Sequence, residues 1–148
     1  MGRALMDTMT AEQRSWLMSR IRGKDTKPEL VVRAIVRALG FRGLRCNCRG
    51  LPGTPDVVVP AARTAVMVNG CFWHRHKACR SGRNKPKSNA AFWRRKFERN
   101  VARDRRDARG LRRMGWRVVT VWECQLRRPE AVAARLGRIL GGKREKAA

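Results

Sequence analysis

The sequence predicts an α/β protein in which a mixed central sheet is flanked by helices. Short apolar runs at 56–59, 64–68 and 116–122 have the length and β-branched content of buried strands. Segments with helical periodicity lie before, between and after these runs. Strands interrupted by helices in this way are typical of a sheet with helices packed on it.

The chain length predicts one domain. The 148 residues contain no internal repeat and no sign of a second core, so a single domain over 1–148 is expected. About 1–9 and 141–148 carry few apolar residues at regular spacing, and these two ends are expected to be flexible.

Two helices are expected ahead of the strands. Residues 10–22 have a loose apolar face. The next helix begins after Thr26, a candidate N-cap that is followed by Pro28 and, three residues after the cap, by Glu29. Gly40 ends this helix. Its apolar residues recur with a period of 3.6, and they are Leu30, Val31, Ala34, Ile35, Ala38 and Leu39.

The middle of the chain predicts a hairpin followed by a long loop. Residues 41–48 read as a short strand, and the Gly and Pro content of 49–55 predicts a turn. The runs 56–59 and 64–68 are separated only by "PAAR", which favours two adjacent antiparallel strands. Residues 71–89 have no periodicity and predict a loop.

The last third predicts helix, strand and helix. Residues 90–114 form a long helix, with Trp93, Phe97 and Val101 at i, i+4 spacing and Ala108 and Leu111 further along. "WRVVTVW" at 116–122 is a strand, and "RPEAVAARLGRIL" is a closing helix that ends before a frayed tail "GGKREKAA".

The net charge indicates a polyanionic partner. The formal charge is +25, and residues 71–113 alone carry sixteen Lys and Arg against three acids. Nucleic acid is the first candidate, because so much self-repulsion is offset by phosphate contacts. An anionic membrane is the second, but the chain has no convincing basic amphipathic helix, no lipid anchor and no apolar run near the roughly 20 residues of a spanning helix. The N-terminus is too short and polar for a secretory signal, so an intracellular protein is expected.

A candidate metal site lies in the loop after the second strand run. Cys71, His76 and Cys79 are spaced C-x4-H-x2-C, and Cys124 ends the strand at 116–122. Four such ligands suit a closed, structural zinc site, which would hold a polar loop that cannot fold on burial alone. The alternative is a set of scattered buried thiols, and the C-x-C pair at 46–48 competes as a ligand source.

A second candidate site is acidic. Asp56 heads a predicted buried strand after Pro55, although a turn-capping aspartate would fit the same pattern. The returning strand leads into Asn69 and then His74, so these three polar side chains could converge. A carboxylate can hold Mg²⁺, and a neutral imidazole can take a proton from water, which is the chemistry that hydrolyses phosphodiesters.

Four segments carry a resemblance to a known family. The sequences "LPGTPDVVV", "NGCFWHRH", "FWRRKFERNVARDRRDARGLRRMGWRVVTVWEC" and "RSWLMSRIRGKDTKPEL" resemble the very-short-patch-repair (Vsr) DNA mismatch endonucleases over about residues 11–140. The resemblance implies a fold like that of type II restriction endonucleases. It also implies nicking on the 5′ side of the thymine in T:G mismatches, which arise when 5-methylcytosine deaminates, by a monomeric bacterial cytoplasmic protein associated with the nucleoid.

The resemblance implies roles for particular residues. Asp56 and Val68 would bind Mg²⁺, His74 would be the general base or a phosphate-contacting residue, and Glu29 a supporting acid near the metal. Asn69 stands where the family pattern has a second histidine, and an amide is a poor base. The zinc ligands would be Cys71, His76, Cys79 and Cys124, and the aromatic wedge that enters the DNA stack would comprise Phe72, Trp73 and Trp93, with Met18 reaching the opposite groove.

Simpler explanations compete with several of these roles. The capping box accounts for Glu29 without any metal, and Phe72, Trp73 and Trp93 are residue types that usually pack in cores. Asp104 and Asp107 are expected to pair with nearby arginines along the long helix. A zinc-bearing protein that only binds distorted DNA, and a nuclease with another structural preference, are the alternative functions.

Overall fold

The computed structural model describes residues 26–147, with side chains through residue 141. The helix predicted over 10–22, with Met18, lies outside the described residues. The described elements are, in order, α1 (Lys27–Ala38), β1 (Arg45–Cys46), β2 (Val57–Val59), β3 (Thr64–Asn69), α2 (Arg80–Arg83), α3 (Ala90–Arg113), β4 (Arg117–Trp122) and α4 (Pro129–Ala147). Short 3-10 segments at Pro60–Ala62 and Glu123–Arg127 join β2 to β3 and β4 to α4.

The strands form one mixed sheet, as the sequence predicts. Their order in the sheet is β1-β2-β3-β4. β2 and β3 are the predicted antiparallel hairpin, with Val57 opposite Val66 and Val59 opposite Thr64. β4 runs parallel to β3 and brings Trp122 opposite Asn69. The carboxyl ends of β3 and β4 therefore meet at one edge of the sheet, and the metal-loop cysteines begin there.

Strand alternation divides the core between the two faces of the sheet. Val57, Val59 and Val66 point to one face, where they pack with Val32 and Val36 of α1 and with Val132, Leu136 and Leu140 of α4. Val58 and Ala65 point to the other face, against Leu111 of α3. This is the two-residue period of a strand buried on both sides.

The first half of α3 leaves the sheet and packs on the loop after β3. Phe97 and Trp93 of this helix form a separate buried cluster with Phe72 of the loop, and Trp73 lies against its side. Along the described part of the chain, no helix is both long and apolar enough to cross a membrane.

The buried face of α1 differs from the face that periodicity predicts. Leu30, Ala34 and Ala38 are exposed, and Val31, Ile35 and Leu39 are half-buried. The buried residues are Glu29, Val32, Arg33 and Val36. Two of them are charged, so an apolar count misses the face, and they are tolerated inside because they form an ion pair at 3.5 Å. The capping box of Thr26 and Glu29 is present as predicted.

Two further boundaries differ from the sequence prediction. The closing helix α4 continues past residue 140 to Ala147, because the residues after the two glycines are good helix formers. The loop 71–89 includes the one-turn helix α2.

The corrected face of α1 can be tested with two substitutions. Val36→Ala removes methyl groups from a fully buried side chain and is expected to cost about 1–3 kcal/mol of unfolding free energy. Leu30→Ala, at a side chain that is 49% exposed, is expected to cost less than about 0.5 kcal/mol. Urea unfolding measures both, and a larger loss for Leu30→Ala would show that the face is assigned wrongly.

Candidate active site and metal centre

A cleft of about 860 Å³ opens at the edge of the sheet between α1 and α3. It brings together the residues predicted to take part in catalysis or to bind Mg²⁺. Those that line it are Glu29, Asp56, Val68, Asn69 and His74. They come from α1, the start of β2, the end of β3 and the loop after β3, so the hairpin and the two flanking helices position them jointly.

Asp56 is fixed by the hairpin itself. One carboxylate oxygen, Oδ2, accepts a hydrogen bond of 2.6 Å from the backbone N–H of Val68. Burial raises the pKa of Asp56 to about 6, while the Val68 N–H lowers it, the Glu29 carboxylate raises it, and His74 and Arg33 lower it. The pKa of Asp56 therefore lies close to neutral pH, where a bound cation would favour the ionised carboxylate.

His74 is oriented by a carboxylate on α3. Its Nδ1 lies 2.7 Å from Oδ2 of Asp104. A carboxylate only accepts hydrogen bonds, so Nδ1 carries the proton in this pair, and Nε2 of the neutral ring is left as an acceptor. The backbone also holds His74, whose N–H donates to the carbonyl of Gly70 at 3.2 Å.

The Asp104 contact corrects the expectation that this residue pairs with an arginine. Asp104 meets His74 because it is half-buried and continues the helix face whose buried residues are Trp93, Phe97, Asn100 and Leu111. Asp107 does lie 3.9 Å from Arg106, as expected, and it also lines the cleft. Helical periodicity applied to polar residues would have placed Asp104 on the inner face.

Glu29 serves the helix and the cleft at the same time. Its Oε2 accepts hydrogen bonds from the Thr26 hydroxyl at 2.7 Å and from the Thr26 N–H at 3.4 Å. Its Oε1 lies 3.5 Å from Arg33. Glu29 is only 4% exposed, yet it lines the cleft beside Asp56. The capping role and a place in the site are therefore compatible.

The four predicted metal ligands form one cluster. The Sγ atoms of Cys71, Cys79 and Cys124 and a ring nitrogen of His76 all lie within 4.8 Å of one another. His76 Nδ1 is 3.5 Å from Cys124 Sγ. A tetrahedral site with metal–sulfur bonds of about 2.3 Å separates its ligand atoms by about 3.8 Å, so the cluster could hold a metal ion with small adjustments. Cys46 and Cys48 lie on and just after β1, outside this cluster.

The protonation of the cluster fits a cation. Burial raises the pKa of the Cys71 thiol to about 12, so a thiolate there needs a positive charge beside it. Burial lowers the pKa of His76, which favours the neutral ring that ligates metals. At Cys79 burial acts to raise the pKa, but hydrogen bonds that include the backbone N–H groups of Gly82 and Ser81 hold it below its ordinary value.

Two neighbours that the sequence did not single out shape the cluster. Trp122 stacks on the His76 ring with centroids 4.3 Å apart and planes 15° apart. Gly82 of α2 packs so closely on the backbone of His76 that any side chain at this position would overlap the His76 carbonyl. The loop is therefore held by its cysteines, by a ring stack and by close backbone packing.

The predicted wedge residues form a compact aromatic cluster. The Phe72 ring meets Trp73, Trp93 and Phe97 edge-on, with centroids 5.2–5.8 Å apart. Phe72 is 7% and Trp93 1% exposed. Trp73 is half-buried and lines the cleft, and its carbonyl accepts a hydrogen bond of 3.0 Å from the Asn100 side chain. The rings thus have the core packing that competed with the wedge role.

Comparison with known proteins identifies the family. The family model for the DNA mismatch endonuclease Vsr matches residues 6–80. The type II nicking enzyme V.XorIIP of Xanthomonas oryzae pv. oryzae is 44% identical over 92% of this chain and 98% of its own length. The type II nicking enzyme V.NmeAIP of Neisseria meningitidis is 38% identical over 92% of this chain and 95% of its own length.

A mismatch repair enzyme is also among the relatives. The DNA mismatch endonuclease Vsr of Escherichia coli is 37% identical over 83% of this chain and 77% of its own length. A family match over half of the chain and relatives covered almost from end to end agree with the restriction-endonuclease-like arrangement of sheet, helices and cysteine cluster. The chain belongs to the Vsr family of DNA mismatch endonucleases.

Proposed function

We propose that this DNA endonuclease acts as a monomer and uses Mg²⁺ to nick one strand of a duplex on the 5′ side of the thymine in a T:G mismatch. The observation that carries the proposal is the convergence of Asp56, Asn69 and His74 in one cleft. Family membership supports DNA cleavage, and the mismatch endonuclease of E. coli among the relatives supports the mismatch as substrate.

The distribution of acids supports a divalent cation. The chain has only eleven Asp and Glu. Among the described residues, the acids that line this cleft are Glu29, Asp56, Asp104, Asp107 and Glu123. Carboxylates facing a DNA backbone would repel it unless a cation lay between them. Asp56 would hold the ion through its carboxylate, and Val68 through its backbone carbonyl, the only oxygen that a valine offers. An ion held by these two oxygens would supply Lewis-acid chemistry at a phosphate in the cleft.

The proton transfer is assigned to His74. With its Nδ1 proton donated to Asp104, the ring offers Nε2 to a water molecule and removes its proton as the water attacks phosphorus. The bond from phosphorus to the leaving deoxyribose oxygen breaks in the same displacement, and that oxygen takes up a proton from solvent. Asp104 is a positioning residue, because it fixes the tautomer and favours the imidazolium that forms. Asn69 also lines the cleft, and its neutral amide orients water or phosphate without acting as a base.

The cysteine cluster is assigned to structural zinc. Three thiols and one imidazole are a closed ligand set that leaves no open position for a substrate. His74 lies two residues from the ligand His76 and three from Cys71, so an ion in the cluster would fix the loop that presents the base.

Selectivity for the mismatch is assigned to the aromatic residues. Insertion of Phe72, Trp73 and Trp93 between base pairs costs a few kcal/mol of unstacking, and a mismatched step is the least costly place for it. Since Phe72 and Trp93 are buried in the described structure, insertion requires that they leave their cluster. Met18 is assigned to the opposite groove.

The function can be tested with labelled duplexes that differ only in one T:G or C:G pair. With Mg²⁺, the protein is expected to nick the T strand on the 5′ side of the thymine. Asp56→Ala and His74→Ala should bind but nick at least about 100-fold more slowly. Glu130→Ala, an exposed acid on α4, serves as the control. Equal cutting of matched DNA would refute mismatch specificity, and binding without cutting by every version would refute the enzyme.

The raised pKa of Asp56 predicts a pH-dependent stability effect. The folded state binds the Asp56 proton more tightly than the unfolded chain, so ionisation costs stability increasingly as the pH rises from the ordinary value of 3.8 to about 6. Without Mg²⁺, Asp56→Asn is therefore expected to be more stable than the wild type above pH 6, by on the order of 1–2 kcal/mol after allowance for partial exposure. Urea unfolding at pH 4 and pH 8 checks this, and an advantage that shrinks as the pH rises would contradict it.

The zinc assignment is tested by two serine substitutions. Cys71→Ser is expected to abolish bound zinc and to lower the Tm by at least about 10 °C, because the ion stabilises the folded loop. Cys46→Ser changes a thiol outside the cluster and should leave the zinc content at about one ion per chain. Elemental analysis and thermal unfolding give both readouts, and an unchanged zinc content in Cys71→Ser would remove the assignment.

A further inference from the structure

A second cavity of about 570 Å³ adjoins the cleft on the far side of His74. The two cavities share Asn69, His74 and Asp104 as lining residues. Beyond them the lining changes in character. Arg105, Arg109 and Arg112 of α3 form one wall, and we call this second cavity the arginine trough. A strand that lies across His74 in the cleft has a continuous path into the trough.

The three arginines lie along one stripe of α3. Their spacing of i, i+4 and i+7 places them on the same helix face. At a rise of 1.5 Å per residue, Arg105 and Arg112 are separated by roughly 10 Å along the axis. Each DNA strand carries one phosphate per roughly 3.4 Å of duplex axis, so this length spans about three phosphate-to-phosphate steps, enough for each arginine to meet a different phosphate.

The positive charge of the trough is not neutralised within the described part of the chain. Among the side chains of residues 26–141, none forms an ion pair with Arg105, Arg109 or Arg112. The one acid in the lining, Asp104, is hydrogen-bonded to His74. Arg75 at the rim donates instead to the carbonyls of Phe72 and Asn84. Three neighbouring arginines with no counter-charge among residues 26–141 favour a ligand with several negative charges at regular spacing.

The floor of the trough is apolar. Val101 and Ala108 of α3 and Trp122 of β4 line it below the arginines. An apolar floor beneath a row of cations suits a deoxyribose-phosphate chain, whose sugars are largely apolar and whose phosphates lie at the outside.

We propose that the arginine trough binds consecutive backbone phosphates of the cleaved strand on one flank of the scissile phosphate. The inference rests on the proposed function, since it takes the Asp56–His74 cleft as the position of the scissile bond. Through these contacts the trough sets the path of the strand past His74 and contributes affinity without reading sequence.

Two triple variants of the full-length protein, with the same change in charge, test the proposal. Arg105→Gln/Arg109→Gln/Arg112→Gln removes the trough cations. Arg99→Gln/Arg106→Gln/Arg113→Gln removes three exposed arginines from another face of the same helix. Affinity is measured against salt concentration on matched and T:G duplexes without Mg²⁺. Binding is thus read independently of nicking, and a failure of the proposed function would appear only in the cleavage assay.

The trough variant is expected to bind at least 10-fold more weakly than the control variant. Its plot of log K against log salt should be shallower by two to three units, since each phosphate contact contributes about 0.9. The control variant should change the slope by less than about one unit. Equal losses of affinity and slope in the two variants, both with wild-type thermal unfolding, would overturn the proposal.

Neutral linkages locate the contacted phosphates. Methylphosphonates replace single phosphates, one at a time, on both sides of the mismatch in the T strand. Wild type and the control variant should lose affinity at two or three adjacent positions on one flank, and the trough variant should be insensitive at those same positions. Retained sensitivity in the trough variant would show that other residues make these contacts.

Discussion

The hydrogen bond from the Val68 N–H to the Asp56 carboxylate joins the start of β2 to the end of β3, and the site is organised around it. Asp56 precedes one strand of the hairpin, whereas Asn69 ends the other, and the loop that carries His74 follows it. Because the strands are antiparallel, these two ends lie side by side at one edge of the sheet. The valines of β2, buried on both faces, keep that edge rigid.

Charge is segregated in a way that suits a nuclease. The protein carries a large positive charge, yet almost half of its acids line a single cleft, and the adjoining trough is lined by arginines. A polyanion attracted by the basic surface meets negative groups only where a cation can lie between them and the backbone. The Asp104–His74 pair lies at the boundary between the two environments. Attraction of DNA is thus assigned to the basic surface, and its cleavage to the neighbouring acidic cleft.

Much of the fold can be predicted from the pattern of apolar residues. The strands are uninterrupted apolar runs, and the helices α1 and α3 have clear boundaries. The clustering of Cys71, His76, Cys79 and Cys124 could also be predicted from their chemistry, although their spacing does not reveal that Cys124 folds back to Cys71. The burial of polar residues on the inner faces of helices was not predicted. Such residues are tolerated there because each has a partner, and the partners come from packing that local sequence does not encode. Examples are the buried Glu29 and Arg33 of α1, and the buried Asn100 and half-buried Asp104 of α3.

The turn between β2 and β3 limits how the hairpin can evolve. Arg63 adopts a left-handed conformation with φ of 49°, donates a hydrogen bond of 2.9 Å to the carbonyl of Met114, and lies over the Trp116 ring. A deletion or insertion here that shifted the pairing by one residue would turn Asp56 toward α1 and α4 and leave the cleft without its central carboxylate. Libraries that vary loop length in this protein should therefore leave 60–63 intact. The turn before Asp56 should also keep its length, because it joins β1 to β2, which pair with Cys46 opposite Val57.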